Sequence, residues 1–285
     1  VSKKKSKLPT VRSRELGDGV RAAIAASGMG VRELAHRLGW SHPYISHLLS
    51  GNRSVSELEL LSVLLACNVH RQERERLLGL AGELETSGWL QQYESGVPEN
   101  PRTLVGHERK ATTVSEVRLT AIPKLLQAEG YARATGEGDE RVRARLARQD
   151  VFIERQGPRR SFYVGESALR TAVGDSVVMS EQLHHLLRLA VRPQVELRIV
   201  PAEAHSGQSW SFTLLEFATF DPVVYLEGEV TAVFLEQAHQ IAAYRRILTT
   251  CAGSALNHND SKAHIAALAT DLHAGSRREG HLEGL

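Results

Sequence analysis

The sequence predicts an all-α N-terminal domain of about five short helices and a C-terminal α+β domain with a small sheet. Three observations carry this reading. Residues 11–82 repeat short helical patterns that break at glycine and polar residues. Later, segments with strand-like alternation or apolar density lie between helical ones. The length of 285 residues exceeds what a single core usually fills.

Residues 1–10 carry Lys3, Lys4, Lys5 and Lys7 without a following apolar run, so they read as a basic flexible tail rather than a secretory signal. Leu16, Val20, Ala23 and Ile24 keep helical spacing up to Ser27-Gly28, and Val31, Leu34, Ala35 and Leu38 repeat it up to Gly39. Ser41 caps a third helix with Pro43 in its first turn, ending at Ser50-Gly51-Asn52. Ser56 and Glu59 form a capping box, Val55 and Leu60 a hydrophobic staple, and Leu58, Leu61 and Leu65 are expected to face inward on the fourth helix. Leu77, Leu78 and Ala81 support a fifth within 71–82, so the helical domain is placed at 11–85.

Residues 86–110, with Gly96, Pro98, Pro101 and Gly106, read as a linker. The second domain is placed at 111–273, with helices around 107–134, 138–156, 180–191 and 232–248. Strands are expected at 161–164, 195–200, 211–217 and 223–226, and residues 274–285 read as a disordered tail.

Composition is that of a soluble protein, 42% hydrophobic and 24% charged, without an apolar run of the roughly 18 residues that a membrane span needs, and the missing apolar run after the N-terminal lysines makes the cytoplasm the expected location. Cys67 and Cys251 are too far apart to argue for a disulfide framework or a cysteine metal site and are expected to be buried thiols. The formal charge of +2 hides an asymmetry. Residues 1–53 hold ten Lys and Arg against Glu15, Asp18 and Glu33, a surplus of +7 that points to a polyanion.

Short helices with a tight Gly39-Trp40 turn between the second and third are what a helix-turn-helix needs: one helix braces on the backbone and the next enters the major groove N-terminus first. Inward positions are Leu34, Ala35, Leu38, Ile45 and Leu48. On a third helix docked this way, His42, Tyr44, Ser46 and His47 are the candidates for base edges, Ser41 and Arg53 lie nearer phosphates, Asn52 is a further candidate DNA contact, and Arg32, with Arg37, braces the phosphates from the second helix.

Leu34-Ala35-His36-Arg37-Leu38-Gly39, Ser41, Ile45-Ser46 and Gly51-Asn52-Arg53 resemble the Cro/repressor (XRE) helix-turn-helix, whose pattern is L-A-x-x-L-G-x-S and then a short helix closing on G-x-R. This resemblance covers about residues 14–68 and implies a lambda-repressor-like fold. Val31 and His42 stand where that family usually has glutamine, and Leu49 where it has glutamate. The segment Ile122-Pro123-Lys124-Leu125-Leu126-Gln127-Ala128-Glu129-Gly130-Tyr131-Ala132-Arg133 is similar to the V-P-G-L-L-Q-T-x-x-Y-A-R stretch of actinomycete WhiJ-type regulators. Arg145 to Gln149, Gly165 to Arg170, Met179 to Leu183 and Val200-Pro201 follow in order and spacing. The resemblance implies a DNA-binding, antitoxin-like transcriptional regulator, often encoded beside a small partner protein.

Catalytic signals are poor. Gly165-Glu166-Ser167-Ala168-Leu169 lacks the last glycine of a nucleophile elbow, and Gly17-Asp18-Gly19 lacks the last glycine of a dinucleotide fingerprint. His184-His185 and His258/His264 lack metal-ligand support; Glu227 and Glu229 need a cleft before either is an acid or base. Arg141, Arg145 and Arg148 share a helix face that reads either as an anion site or, with nearby acids, as a solvated salt-bridged surface. Trp89, Tyr93 and Trp210 are expected mostly in the core.

The expectation is a non-enzymatic regulator without cofactor or metal. Double-stranded DNA is its partner, bound as a homodimer, and the C-terminal domain serves sensing, dimerisation or partner binding. The alternative is an antitoxin-like protein whose main role is to bind a small protein encoded next to it.

Overall fold

The computed structural model describes residues 9–82, 84, 88–92, 102–152, 157–205, 209–228 and 230–282. The chain forms two compact units: Val1–Leu90 with Thr219–Val223 and Phe234–Ala238, and Gln91–Ala218 with Val224–Val233 and His239–Leu285.

The first unit opens with α1 (Val11–Ala26), capped by the Thr10 hydroxyl, which accepts from the Ser13 amide at 3.2 Å. Helix α2 (Val31–Leu38) ends at Gly39, whose φ of 67° lies in the left-handed region. The Trp40 amide donates to the Ala35 carbonyl at 2.9 Å and the Gly39 amide to that of His36 at 3.2 Å, the paired bonds of a Schellman motif. Ser41 then caps α3 (His42–Leu49), and Ser56 with Glu59 makes the capping box of α4 (Glu57–Ala66). Helix α5 (Arg71–Ala81) follows. Leu16, Val20, Leu34, Ile45, Leu48, Leu60, Leu64 and Leu77 form the buried core. Gly17 lets α1 run against the end of α3: a Cβ there would lie 2.4 Å from the Leu49 carbonyl oxygen.

Helix α4 has the opposite phase to the one expected. Leu58 and Leu65 are 74% and 55% exposed, and Leu60, Val63 and Leu64 face the core. The buried pair Val55 and Leu60 sets Leu60 inward. At about 100° per residue, Leu58 and Leu65 then lie roughly 160° and 140° away.

The remaining elements are β1 (Trp89–Gln92), α6 (Arg102–Glu108), β2 (Thr113–Arg118), α7 (Glu129–Ala134), α8 (Asp139–Arg148), β3 (Arg159–Gly165), α9 (Glu166–Arg170), α10 (Ser176–Ala190) and β4 (Val195–Val200). After them come β5 (Ser211–Glu216), β6 (Val223–Glu227), β7 (Thr231–Leu235), α11 (Ala238–Ser254) and α12 (His258–Leu282). The strands form a seven-stranded mixed sheet in the order β1-β7-β6-β5-β2-β3-β4. β3 is parallel to β2 and β4, while β5 is antiparallel to β2. α9 and α10 form the crossover between β3 and β4, as a parallel pair requires. Phe162 and Val164 of β3, Leu197 and Ile199 of β4, Leu183 and Leu186 of α10 and Ile265 of α12 build the second core.

Four strands and the helix around 180–191 lie where expected, but two expected helices change class. Within 107–134, Thr113–Arg118 is strand β2, rich in the β-branched residues that suit a pleated surface. Within 232–248, Thr231–Leu235 is strand β7, with Ala232 and Phe234 buried in a two-residue period, and the helix starts at Ala238. The segment read as a linker contains β1 and α6. Where a disordered tail was expected from Ala274, the α12 backbone stays helical to Leu282.

Candidate nucleic-acid interface

The α2-turn-α3 unit leaves the polar positions of α3 outward. Ile45, Leu48 and Leu49 are buried, whereas His42, Ser46 and His47 are exposed. Among the described residues, these three side chains have no hydrogen-bond partner. Arg32, near the start of α2, is also exposed. Ser41 is occupied as a cap, its hydroxyl accepting from the Tyr44 amide at 3.4 Å. Asn52 donates to the Ser50 hydroxyl at 2.9 Å just beyond α3.

Tyr44 is a braced residue. Its ring packs on Trp40 with centroids 4.9 Å apart and a tilt of 52°, and the Arg53 guanidinium carbon lies 4.1 Å from its centroid. The Tyr44 hydroxyl donates to Glu59 Oε1, while Glu59 Oε2 accepts from the Ser56 amide at 2.9 Å and the Ser56 hydroxyl at 2.8 Å. Burial, then the bond to Glu59, pushes the Tyr44 phenol up; the Tyr44 and Ser56 bonds hold the Glu59 carboxyl below its ordinary range. Trp40 and Glu59 were missed as braces. Glu59 carries a local capping signal, but nothing local connects it to a tyrosine 15 residues earlier.

Part of the basic surplus serves the fold. Arg14 is 3% exposed and lies 3.7 Å from Glu236, which also accepts from the Val11 amide at 2.7 Å. Burial pulls the Arg14 guanidinium down to about 10 against the opposing pull of Glu236. Arg21 donates to the Leu49 carbonyl at 2.9 Å. Arg32, Arg37 and Arg53 remain on the surface. Lys3, Lys4, Lys5 and Lys7 lie outside the described residues.

Most of the other flagged groups that are described have structural partners. Arg145 is 1% exposed and bonds Gln127 and Glu137, and Arg148 lies 3.5 Å from Glu108, so the expected solvated face is a partly buried ion-pair network. Only Arg141 of the three is fully on the surface. Glu227 pairs with Arg118 at 3.1 Å and Lys124 at 3.4 Å; Glu229 and Tyr93 lie outside the described residues. His184 donates through Nδ1 to the Ser180 carbonyl at 2.8 Å, His258 bonds the Ala190 carbonyl at 3.0 Å, and His264 lies 3.3 Å from Glu166. Cys67 and Cys251 are free and buried, and burial pushes both thiols up, Cys251 to about 11. Trp89 stacks on Phe234 at 5.9 Å. Among the described residues no helix is long and apolar enough to cross a membrane, and no group of three His, Cys, Asp or Glu side chains is arranged to hold a metal.

Two family descriptions match the chain: "Helix-turn-helix domain" over residues 15–77 and "Domain of unknown function (DUF5753)" over residues 101–267. None of the curated proteins matches. Among solved structures, the chain is similar to one described as "Structure of TrmBL2, an archaeal chromatin protein, shows a novel mode of DNA binding". That similarity has 14% identity and a TM-score of 0.30 over 86% of this chain and 98% of the other, too low to establish a shared fold.

Proposed function

The chain belongs to the family of the domain of unknown function DUF5753, here preceded by a helix-turn-helix domain, and from this premise we propose that it is a sequence-specific DNA-binding transcriptional regulator. The observation that carries the reading is α3: an exposed row of His42, Ser46 and His47 opposite buried Ile45 and Leu48, one tight turn after a helix bearing Arg32. Direct readout needs donors and acceptors that the fold has not already consumed, and these side chains meet that need. Arg32 and Arg53 supply phosphate attraction.

In this reading, two copies bind half-sites about 34 Å apart and occlude a promoter, including the protein's own. The C-terminal domain tunes that binding by sensing, dimerisation or partner capture. We assign no catalytic step to it; Glu227, one of the two carboxylates that needed a cleft, is held between Arg118 and Lys124.

The test is selection of genomic fragments by purified full-length protein at near-physiological salt, alone and with the small protein encoded next to it. An enriched symmetric motif, lost or relaxed in His42→Ala, is the expected result. Salt-sensitive binding without enrichment overturns the regulator reading. If the small protein nevertheless forms a stoichiometric complex, the main role passes to antitoxin-like capture.

A further inference from the structure

In the C-terminal unit, α7, the end of α8 and α10 line an open cavity of about 490 Å³. That is a usual size for a small-molecule site. One wall is a single face of α10: Glu181, His184, His185 and Arg188, in the i, i+3, i+4, i+7 series. Seven residues at 1.5 Å each place the backbone positions of Glu181 and Arg188 about 10 Å apart.

The charges along this wall are ordered. Glu181 and Arg188 are exposed and, among the described residues, neither is in an ion pair, whereas Glu129 across the cavity is already paired with Arg133 at 2.9 Å. Between the two charges, His184 donates through Nδ1 to the Ser180 carbonyl, and burial with the neighbouring Arg188 keeps the His185 imidazole below its usual range. Leu146 adds an apolar surface. The cavity therefore has an anionic end and a cationic end, with two imidazoles and Leu146 between them. A simple anion meets the Glu181 carboxylate and a simple cation meets the Arg188 guanidinium, so only a molecule with both charges is matched at both ends.

We propose that this cavity binds a small, elongated zwitterion, with a primary amine at Glu181, a carboxylate at Arg188 and an apolar spacer across Leu146. Such a ligand is an effector for the tuning role given above to the C-terminal domain. The site is tested without DNA, so its failure and the failure of the DNA reading are distinguishable.

The experiment is calorimetric titration of the full-length protein with 6-aminohexanoate, with hexanoate and hexylamine as single-headed controls. Expected is saturable binding of 6-aminohexanoate, with both controls weaker by about tenfold or more, the loss of one charged hydrogen bond. Glu181→Gln and Arg188→Gln should each weaken it by a similar factor and leave thermal unfolding without ligand unchanged, because both side chains are exposed. No saturable heat up to about 10 mM probe, a range that reaches contacts of only a few kcal/mol, overturns the proposal. Equal binding of the single-headed controls, or indifference to both substitutions, overturns it as well.

Discussion

The guanidinium carbon of Arg53, just beyond α3, lies 4.1 Å from the ring centroid of Tyr44 inside that helix. Both are candidates for DNA contact, yet each has part of its surface engaged with the other, and Glu59 takes the tyrosine hydroxyl. Tyr44 thus braces the start of α3 between Trp40 and Arg53, and in the proposed reading the exposed His42, Ser46 and His47 are the base-reading candidates. Tyr44→Phe keeps the ring and loses the hydroxyl that donates to Glu59. The expected outcome is unchanged site preference and a stability loss of about 0.5–1.5 kcal/mol, checked by fragment selection and urea unfolding. His42→Ala should do the reverse: stability within about 0.5 kcal/mol of the parent, with discrimination at one base position reduced by about 1–3 kcal/mol.

Acid should weaken the same contact. The Glu59 carboxyl is held below its ordinary range by bonds from Tyr44 and Ser56, so its stabilisation is fully present above the unfolded carboxyl value and is lost as pH falls through the lower folded one. Urea unfolding of the parent and Glu59→Gln at a series of pH values checks this. The gap in stability should be widest near neutrality and close once pH is below the folded value.

Gly17→Ala tests the approach of α1 to α3. The added methyl would sit 2.4 Å from the Leu49 carbonyl oxygen, which belongs to backbone and cannot swing away. A loss of about 1–3 kcal/mol is expected for the helical unit, read by thermal unfolding, with weaker DNA binding as the end of α3 shifts.

The phase of α4 makes a contrast between neighbouring leucines. Leu58→Ser and Leu65→Ser, at exposed positions, should change the stability of the monomeric fold by within about 0.5 kcal/mol. Leu60→Ala, at a residue with 0% exposure, should cost about 2–5 kcal/mol. Chemical denaturation of the three variants at low protein concentration decides it.

Arg145 and Arg141 share a helix but not an environment. Arg145→Ala strips Glu137 and Gln127 of their buried partner and should cost about 3–5 kcal/mol; Arg141→Ala, at the surface, should cost within about 0.5 kcal/mol. Thermal unfolding of the C-terminal transition measures both.

Local chemistry made much of the first unit legible. Ser41, Ser56 and Gly39 cap or terminate helices through groups a few residues away, and the helix-turn-helix spacing of Leu34, Ala35, Ile45 and Leu48 repeats within one short stretch. Those signals need no distant partner, so the sequence by itself determined the helices, their caps and the polar outer row of α3.

Signals that depend on a distant partner were not legible. Leucines line α4 nearly all round, so periodicity could not choose its buried face; packing of Leu60 and Leu64 into the core did. Residues 113–118 and 231–235 are strands because neighbouring strands take their backbone hydrogen bonds, a satisfaction that no local window contains. The same holds for charge. Arg14 and Arg145 look like surface cations in the sequence, and only the fold brings Glu236 and Glu137 to them, since burying a guanidinium without a partner costs more than the chain can spare. Tertiary structure thus decided which charges remain available to a ligand, because it alone determines which have already been neutralised inside the protein.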